Sequence, residues 1–293
     1  MAGRNKLIFV TGATGKQGGA VVNHLLKEGY QIKALTRSPG SEQARKLKER
    51  GVEIIEGDLY NPGSFRQHIK DAFGVFAVQN FWEHGYQGEV EQGKALINAV
   101  KDSNVQHFIY NSVASCTRNT GLAHFDSKKE IEDYIKEKKL AYTIFRPVFF
   151  MENFIGMRNE IFAGKLVSAM EENVPLQMIA VDDIGAFVTQ AFSNPDIYMG
   201  KEIELAGDSK TYPEVASILS SELGEPVSYV KLSLKEFENI VGKETAQMVD
   251  WFNRVGYDVD IEALKSNYDV ELTTFKEWLH KINFAQFKIK QYK

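Results

Sequence analysis

A glycine-rich segment near the start of the chain combines residue types and a spacing that suit the binding of phosphate groups. It reads TGATGKQGG over residues 11–19 and follows the short apolar run Lys6–Val10, which is typical of a buried strand. Gly12 permits a sharp exit from that strand, Gly15 lets the backbone approach a phosphate, and Gly18 allows close packing of the next helix on the sheet. Free N–H groups at the start of that helix attract anions. The segment predicts a dinucleotide phosphate site; the alternative is a strand-to-helix turn without a ligand.

A cation follows the second predicted strand and distinguishes between two dinucleotides. NAD-specific folds place Asp or Glu there to bind the ribose 2′-hydroxyl, whereas this chain has Arg37, followed by Ser38. Because a guanidinium binds a 2′-phosphate with two hydrogen bonds, we expect NADP(H) to be preferred over NAD(H). The alternative is a solvated surface arginine. After the third strand, Asp58 is placed either to hydrogen-bond adenine or to cap its own loop.

The elements that must position these residues alternate between strand and helix through the first half of the chain. Apolar and alternating patterns predict strands over Lys6–Val10, Gln31–Thr36, Val52–Glu56, Gly74–Val78, His107–Ser112 and Tyr142–Phe145. Helices are predicted between them over Gly15–Glu28, Ser41–Arg50, the region of Val90 to Val100, and Ser127–Lys138. This alternation indicates right-handed βαβ units and an α/β fold with a Rossmann-type, doubly wound parallel sheet.

The alternation loosens after about residue 150, which predicts a second, smaller α/β lobe at the C-terminal end. We expect residues 1–150 to form an NAD(P)-binding domain, residues of about 180–205 to return to it, and residues 151–293 to form mainly a substrate or partner lobe. In the returning segment, Asp182 or Asp183 is expected to cap a helix, and Glu202–Leu205 to add a strand. The final amphipathic helix carries Phe275, Trp278, Leu279 and Ile282, and the basic tail Phe287–Lys293 is expected to fray.

Charge and hydropathy exclude two classes of partner. The net charge is −4, which argues against direct nucleic-acid binding because counterion release requires a basic face. The apolar run at the start of the chain is too short for a signal peptide, and no run approaches the roughly 20 residues of a membrane span. We therefore expect a cytoplasmic protein, with nuclear shuttling open for a eukaryotic source.

Cysteine and histidine usage argues against a disulfide framework and against a metal site. The single cysteine, Cys116, cannot form an internal disulfide, which suits a reducing compartment, and we expect it to be a small core residue rather than a nucleophile. Apart from His124, which is considered below, the histidines show no spacing typical of metal ligands, so no metal is expected. They are His24, His68, His84, His107 and His280.

Five segments together resemble the NmrA-like branch of the atypical short-chain dehydrogenase/reductases. They are TGATGKQGG, LTRSP, EGDLYNPGSF, HFDSKKEIEDYI and FRPVFFMENF. The resemblance covers residues of about 5 to 190 strongly and continues more faintly to about residue 283. It implies a Rossmann domain with a small C-terminal lobe over the nicotinamide, and NADP(H) as the cofactor.

The resemblance also implies which residues hold the cofactor. The glycine segment contributes Gly12, Ala13, Thr14, Gly15, Lys16, Gln17 and Gly18. The ends of later strands contribute Arg37, Ser38, Asp58, Leu59, Gln79, Asn80 and Phe81. Lys128 and the segment with Phe149, Phe150, Met151 and Asn153 complete the set.

The region around Lys128 lacks the tyrosine on which active short-chain reductases depend. Those enzymes use Tyr-x-x-x-Lys with an upstream Ser; the Tyr gives a proton to the developing alkoxide, and the Lys lowers the tyrosine pKa. Here Ser112 ends the fifth strand, but His124 stands four residues before Lys128. Lys128 is expected to contact the ribose or the carboxamide. His124, with Asp126 as its nearby acid, and Lys128 are the two candidate catalytic residues.

Two further patterns have a structural alternative. Tyr134 and Lys138 also match Tyr-x-x-x-Lys, but Ile131, Tyr134 and Ile135 form an apolar stripe that turns Tyr134 toward the core, so we exclude this pair. Aromatic residues are expected either to line a flat apolar pocket for a quinone or another aromatic ring, or to be core residues. They are Phe81, Trp82, Phe149, Phe150 and Phe154.

Two functions fit these observations, and a third is retained. The first is an NADP(H)-responsive regulator without catalytic turnover, whose partner is another protein such as a transcription factor. The second is an NADPH-dependent reductase of quinones or related carbonyl compounds, because a quinone gives a stabilised phenolate and needs less proton assistance. The third is a structural subunit with vestigial cofactor binding. The sequence leaves the oligomeric state open.

Overall fold

The computed structural model describes residues 6–288, which form two compact units. The first contains the described residues up to Pro147 together with Val181–Glu204, and the second contains Val148–Ala180 and the described residues from Leu205 onward. Residues 148–150, which the sequence assigns to the first domain, belong to the second unit. Residues 289–293 of the predicted tail lie outside the described residues.

Helices and strands alternate along the chain. The first unit begins with β1 (Leu7–Val10), α1 (Lys16–Lys27), β2 (Gln31–Thr36), α2 (Glu42–Glu49), β3 (Glu53–Glu56), α3 (Arg66–Ile69), β4 (Gly74–Ala77), α4 (Phe81–Lys101), β5 (His107–Asn111), α5 (Ala123–Glu137) and β6 (Tyr142–Pro147). The chain continues in the second unit with β7 (Phe149–Phe150), α6 (Arg158–Phe162), β8 (Lys165–Ser168) and β9 (Leu176–Ile179). It returns to the first with α7 (Val181–Ser193), α8 (Pro195–Tyr198) and β10 (Glu202–Leu205). The second unit then gains β11 (Asp208–Lys210), α9 (Tyr212–Leu223), β12 (Ser228–Lys231), α10 (Leu234–Val241), α11 (Lys243–Arg254), α12 (Ile261–Asn267) and α13 (Phe275–Lys281).

The first unit is built on one seven-stranded sheet in the order β10-β6-β5-β4-β1-β2-β3. All neighbouring pairs from β6 across to β3 are parallel. The predicted α/β fold with a Rossmann-type, doubly wound sheet is therefore confirmed. The strand order reverses direction between β1 and β4, and α/β sheets bind their ligands beyond the carboxyl ends of the strands at such a point.

Apolar side chains from the strands and from two helices form the core of the first unit. Val75 and Phe108 of the sheet are buried with Leu96 of α4 and Ile131 of α5. A Cβ atom on Gly93 of α4 would lie 2.8 Å from Ile131 Cδ1, which is closer than packed atoms allow. The glycine therefore brings α4 and α5 into unusually close contact.

Two helices begin differently from the sequence prediction. Helix α5 begins at Ala123 rather than Ser127, and the Ser127 hydroxyl donates to the buried Glu89 carboxylate at 2.5 Å. Helix α7 begins at Val181, so the aspartates predicted as caps lie in its first turn. Of these, Asp182 pairs with His24 of α1 at 2.9 Å. Ser127 and Asp182 thus lie inside their helices and make tertiary contacts.

The second unit has two small sheets and a helical C-terminal part. Strand β9 lies between β7, to which it is parallel, and β11, to which it is antiparallel, and β8 pairs with β12. Pairing with β9 explains why Phe149–Phe150 belongs here. Helix α13 is capped by Thr274 and buries the predicted apolar face with Phe275, Trp278 and Leu279. Within residues 6–288, no helix combines the length and apolar character that crossing a membrane requires.

The packing of α7 on α1 requires a glycine, which gives a stability prediction. A Cβ atom on Gly185 would lie 2.8 Å from the Ala20 carbonyl oxygen of α1, and the backbone cannot yield cheaply. We expect Gly185→Ala to destabilise the fold by about 1–3 kcal/mol and to lower the thermal midpoint by several degrees in a calorimetric scan. The matched control is Gly40→Ala, because no described atom lies within 4 Å of that Cβ position. Equal midpoints for the two variants would contradict this account of the helix contact.

Candidate functional site

Gly12 leaves the end of β1 in a conformation and a space that only glycine accepts. Its φ angle is +64°, and a Cβ atom there would lie 2.7 Å from Val78 Cγ1. The preceding Thr11 fixes the same junction, since its hydroxyl accepts from the Val78 N–H at 2.9 Å and donates to the Val78 carbonyl at 3.1 Å. The glycine segment is therefore held directly against the chain that leaves β4.

The start of α1 is open to an anion. Gly15 occupies the N-cap position, and no side chain of residues 6–288 caps it or places a carboxylate in the first turn. The backbone N–H groups of this turn and the positive end of the helix dipole are therefore available to a phosphate. Lys16, the first residue of the helix, is exposed beside them. Ala13 is buried and Thr14 half-buried.

Gly18 is required for a reason other than the predicted one. A Cβ atom on it would overlap the Gly12 carbonyl group and lie 2.7 Å from the Ala13 nitrogen. The close contact is thus with the loop backbone rather than with the sheet, because α1 turns back over the residues that lead into it. The neighbouring Gln17 accepts a hydrogen bond from the Asn111 side chain at the end of β5.

Arg37 follows β2 and is engaged by a carboxylate from another strand end. Its Nη2 lies 2.5 Å from Glu83 Oε1 in the first turn of α4, and both side chains are about half exposed. The hydrogen bond from Arg37 is the main cause that lowers the pKa of Glu83 below its usual range. Ser38, also exposed, donates its N–H to the Thr36 hydroxyl at 3.1 Å. Arg37 is therefore neither a bare solvated arginine nor an uncommitted phosphate ligand.

The residues after β4 include a buried amide without a partner. Gln79 is 8% exposed, and neither its Oε1 nor its Nε2 atom has a hydrogen-bond partner in the described part of the chain. An unsatisfied buried polar atom costs roughly 1–3 kcal/mol, so a polar ligand that reaches it gains this free energy. Asn80 beside it is exposed and Phe81 half-buried.

Asp58 already has a local hydrogen bond. Its Oδ1 atom accepts from the Tyr60 N–H at 2.9 Å, which is the loop-capping alternative given above. Its own N–H donates to the Ser64 hydroxyl at 3.0 Å. Leu59 next to it is half-buried and packs against the core of the first unit. The loop after β3 is therefore ordered by its own contacts.

Lys128 and His124 lie in α5 with very different surroundings. Lys128 forms an ion pair with Glu89 of α4, whose side chain is fully buried, and is itself 14% exposed. His124 is 7% exposed, and its ring centroid lies 5.6 Å from that of Phe81 and 5.2 Å from that of Trp82. Glu89 was missed from the sequence. The sequence pattern that could have identified it is a carboxylate on the same apolar stripe of α4 as Leu96 and the other buried residues.

Tyr134 and Lys138 meet on the surface of the α4–α5 pair. The Tyr134 hydroxyl donates to Asn98 Oδ1 at 2.9 Å, and the Lys138 ammonium lies 4.6 Å from the centre of the tyrosine ring. Tyr134 is half-buried rather than turned fully into the core as expected, because its hydroxyl reaches α4. Its hydrogen bond is thus a structural link between the two helices.

Ser112 and Cys116 belong to a buried polar network. The Cys116 thiol lies 3.8 Å from the Ser112 hydroxyl and donates to Glu132 Oε1 at 3.3 Å. Arg146 binds the same Glu132 carboxylate with two hydrogen bonds, at 2.9 and 2.6 Å. Burial first, and the carboxylate of Glu132 next, raise the pKa of the Cys116 thiol to about 12. This thiol is unsuited to nucleophilic chemistry, in keeping with the expected core role.

The remaining predicted cofactor residues lie in the second unit. Phe149 and Phe150 of β7 are half-buried, and the Phe149 ring lies 5.8 Å from that of Phe154, which is fully buried. Asn153 is half-buried, whereas the Met151 side chain is wholly enclosed, which leaves only its backbone for contact with a ligand. Of the two roles considered for Phe154, lining a pocket or packing in the core, the structure shows the core role.

Among the histidines outside α5, His107 has a structural role. His107 is fully buried and hydrogen-bonds the Thr143 hydroxyl at 2.8 Å, and burial lowers its pKa to about 4. It is therefore neutral in the folded protein. Between residues 6 and 288, no three His, Cys, Asp or Glu side chains come together in a way that could hold a metal ion.

The fold and the glycine segment define a Rossmann-type α/β protein. The model of the NmrA-like family matches residues 4–279, and this chain belongs to that family. It is 28% identical to an NmrA-like family domain-containing protein of Dictyostelium discoideum, over 96% of this chain and 99% of the relative.

Two solved structures share the fold at lower sequence identity. The NADPH-dependent quinone oxidoreductase of Escherichia coli, solved with NADPH, superposes with a TM-score of 0.82 at 23% identity, over 94% of this chain and 99% of that one. NmrA, described as a negative transcriptional regulator and solved with NADP, superposes with a TM-score of 0.80 at 18% identity, over 98% and 99%. The same architecture thus occurs in an enzyme and in a regulator, so the fold alone does not indicate which of these two functions this chain has.

The environment of Cys116 gives a reactivity prediction. Since its pKa is raised to about 12 from an ordinary 9.0, the thiolate fraction near pH 8 is about a thousandfold below that of a free cysteine. We expect Ellman's reagent to label the folded protein at least that much more slowly than the chain in urea. The protein has only this cysteine, so the signal is unambiguous. Labelling of the folded protein at the rate of a small thiol would contradict the buried network.

The Glu89–Lys128 pair gives a second prediction, on stability. Removing one partner of a buried pair leaves an uncompensated charge, so we expect Lys128→Met and Glu89→Gln each to destabilise the fold, by about 3–5 kcal/mol for Lys128→Met. The double variant should lose less than the sum, with a coupling of about 1–3 kcal/mol in urea unfolding. Strictly additive losses would mean that the two side chains do not interact. The exposed pair Lys129–Asp133 is the control, with a coupling of less than about 1 kcal/mol.

Proposed function

We propose that this protein binds NADP(H) at the carboxyl end of β1 and acts as a redox-responsive regulator without catalytic turnover. The observation that carries the proposal is the environment of Lys128. The position four residues before it holds His124, packed among aromatic rings, and Lys128 itself is paired with the buried Glu89. The side chains for cofactor binding are present, whereas the tyrosine hydroxyl that would deliver a proton is not.

Three features of the first unit support a dinucleotide ligand. The positive φ angle of Gly12 and the tight fit of Gly18 keep the strand-to-helix turn compact. The start of α1 carries N–H groups that no described side chain caps. The buried Gln79 amide, without a partner among residues 6–288, supplies a donor and an acceptor after β4, next to the switch point. A plain turn without a ligand would leave the buried amide unsatisfied, whereas water would solvate the exposed helix end.

Arg37 supports NADP(H) as the preferred form. Its guanidinium is half exposed at the end of β2, where the ribose 2′ substituent lies in Rossmann folds. A phosphate dianion offers it stronger hydrogen bonds than a ribose hydroxyl. The preference over NAD(H) is part of the proposal.

The surroundings of the candidate proton donors argue against a reductase function. A nicotinamide bound at this site would supply a hydride, and reduction of an ordinary carbonyl would also require a proton donor at the product oxygen. The Ser112 hydroxyl is buried against Cys116, and Lys128 is committed to Glu89. His124 is enclosed by Phe81, Trp82 and Phe125. Neither Ser112 nor Lys128 is therefore arranged as an exposed proton donor.

A regulator must distinguish the two oxidation states of its ligand. NADPH and NADP⁺ must stabilise different arrangements of the protein, since a ligand with equal affinity for both arrangements shifts nothing. The partner we propose is another protein, such as a transcription factor, in line with the description of NmrA as a negative transcriptional regulator.

The second candidate function is an NADPH-dependent quinone reductase. A specific observation favours it: the Trp82 ring is 62% exposed and lies 5.2 Å from the ring of the candidate catalytic residue His124. A quinone ring could stack on such a surface. The Escherichia coli protein of this fold is named for this activity.

Calorimetric titration with NADPH, NADP⁺ and NADH, followed by NADPH oxidation with a panel of quinones, separates the two functions. We expect tight NADPH binding and no quinone-dependent loss of absorbance. Arg37→Ala should weaken NADPH binding about tenfold to a hundredfold, because a charge-assisted bond is lost, and should leave NADH unchanged. Arg254→Ala, which breaks an exposed ion pair in the second unit, is the matched control.

Each alternative outcome has a distinct meaning. Quinone-dependent turnover that is lost in His124→Ala or Lys128→Ala would make the protein a reductase. Failure of the wild-type protein to bind any dinucleotide at micromolar concentration would overturn the cofactor proposal and leave a structural subunit with a vestigial site.

A further inference from the structure

We propose that Glu83 determines cofactor specificity by competing with the 2′-phosphate of NADP(H) for Arg37. This inference rests on the proposed function, because it assumes that a dinucleotide binds along the glycine segment. The juxtaposition that carries it is the ion pair between Arg37 after β2 and Glu83 in the first turn of α4. Glu83 has no counterpart in the glycine or cofactor patterns of the sequence.

The ion pair spans the opening through which a dinucleotide must lie. Strands β2 and β4 are the two neighbours of β1 in the sheet. Arg37 follows β2, and Glu83 follows β4, so their contact bridges the carboxyl end of β1, where the glycine segment begins. A ligand with its diphosphate at the start of α1 and its 2′ substituent at Arg37 meets this bridge directly.

Competition for one guanidinium separates the two cofactors. The 2′-phosphate carries more negative charge and more acceptor oxygens than the Glu83 carboxylate, so it displaces Glu83 from Arg37. The 2′-hydroxyl of NAD(H) is neutral and leaves the ion pair intact. Glu83 also brings a carboxylate to the place where NAD-specific folds hold one to accept from that hydroxyl. The Arg37–Glu83 ion pair thus lowers the affinity of the site for NADP(H) and still allows NAD(H) to bind.

The backbone lets Glu83 leave Arg37 without disturbing the core. Gly85, two residues further on, has φ +64° and ψ −174°, so the turn Phe81–His84 is separated from the regular part of α4. No described atom lies within 4 Å of a Cβ position on Gly85. The buried ion-pair residue Glu89 lies on the far side of this break. The half-exposed Glu83 side chain is therefore able to turn away from Arg37 while the core contacts of α4 stay in place.

The same turn connects the 2′ site to an aromatic surface. Trp82 is 62% exposed, and its ring lies 5.2 Å from that of His124. On the other side, the ring of His84 contacts that of Tyr60, with 5.5 Å between centroids. We expect displacement of Glu83 to change the surroundings of Trp82, its neighbour in the same turn. NADP(H) and NAD(H) are expected to leave this surface in two different states.

The test compares Glu83→Gln with the wild-type protein in calorimetric titrations with NADPH and with NADH. We expect Glu83→Gln to bind NADPH about threefold to fivefold more tightly, because removal of an exposed competing ion pair is worth a change of about this size. Its affinity for NADH should not increase. The matched control is Glu262→Gln, which breaks an exposed ion pair with Lys265 in the second unit. That variant should change neither affinity.

The failure of this inference differs from the failure of the proposed function. Unchanged or weaker NADPH binding by Glu83→Gln, with normal binding by the wild-type protein, would overturn the competition. Equal tightening for both cofactors would show a general charge effect and would also overturn it. If the wild-type protein bound neither cofactor, the proposed function itself would fail. Because Glu83 is about half exposed, its variant should fold normally, which a thermal scan checks.

A fluorescence measurement tests the link to Trp82. Acrylamide quenching of tryptophan emission is measured with saturating NADP⁺ and with saturating NAD⁺. We expect the two ligands to give different quenching and the difference to disappear in Trp82→Phe, although Trp251 and Trp278 remain. The same quenching with both ligands would mean that the Phe81–His84 turn does not respond to the 2′-phosphate.

Discussion

The close approach of Gly12 to Val78 is the contact on which the arrangement of the site depends. It forces the chain to leave β1 at a positive φ angle and joins that exit to the end of β4, with the Thr11 hydroxyl bonded to both backbone groups of Val78. Because β4 lies next to β1 at the reversal of strand order, this contact sets the direction of two segments at once. One leads into α1, and the other leads through Gln79 into α4. The phosphate end and the aromatic end of the crevice are thereby fixed relative to one another.

The buried charge of Glu89 imposes a second constraint, which decides the chemistry. A carboxylate with no exposure must be paired, and Ser127 and Lys128 supply its partners from α5. The close contact of α4 and α5 at Gly93 makes this possible. The lysine that the sequence pattern presents as a cofactor or catalytic residue is thus also part of the core. Its position is more rigid than that of a surface lysine, and its charge is balanced within the protein.

The sequence predicted those features that depend on neighbours along the chain. The glycine spacing, the strand-helix alternation and the cation after β2 are local patterns, and the doubly wound parallel sheet was predicted from them. Glu83 and Glu89 were not predicted because their partners lie 46 and 39 residues away, and only tertiary packing brings them together. The start of α5 was predicted at Ser127, four residues too late, because the first turn from Ala123 lacks a distinct local signal. The residues that modify the expected chemistry are those fixed by distant contacts.

The edge strand β10 has a consequence for the order in which the protein is made. It completes the sheet beside β6, yet the whole of Val148–Ala180, which belongs to the second unit, lies between them in the chain. During synthesis, β6 leaves the ribosome well before β10 and has an unpaired edge in the meantime. The second unit is interrupted in turn, because β9 precedes the returning segment and β11 follows it. Neither unit is complete until part of the other has been synthesised, so the nascent chain passes through a stage with two incomplete sheets.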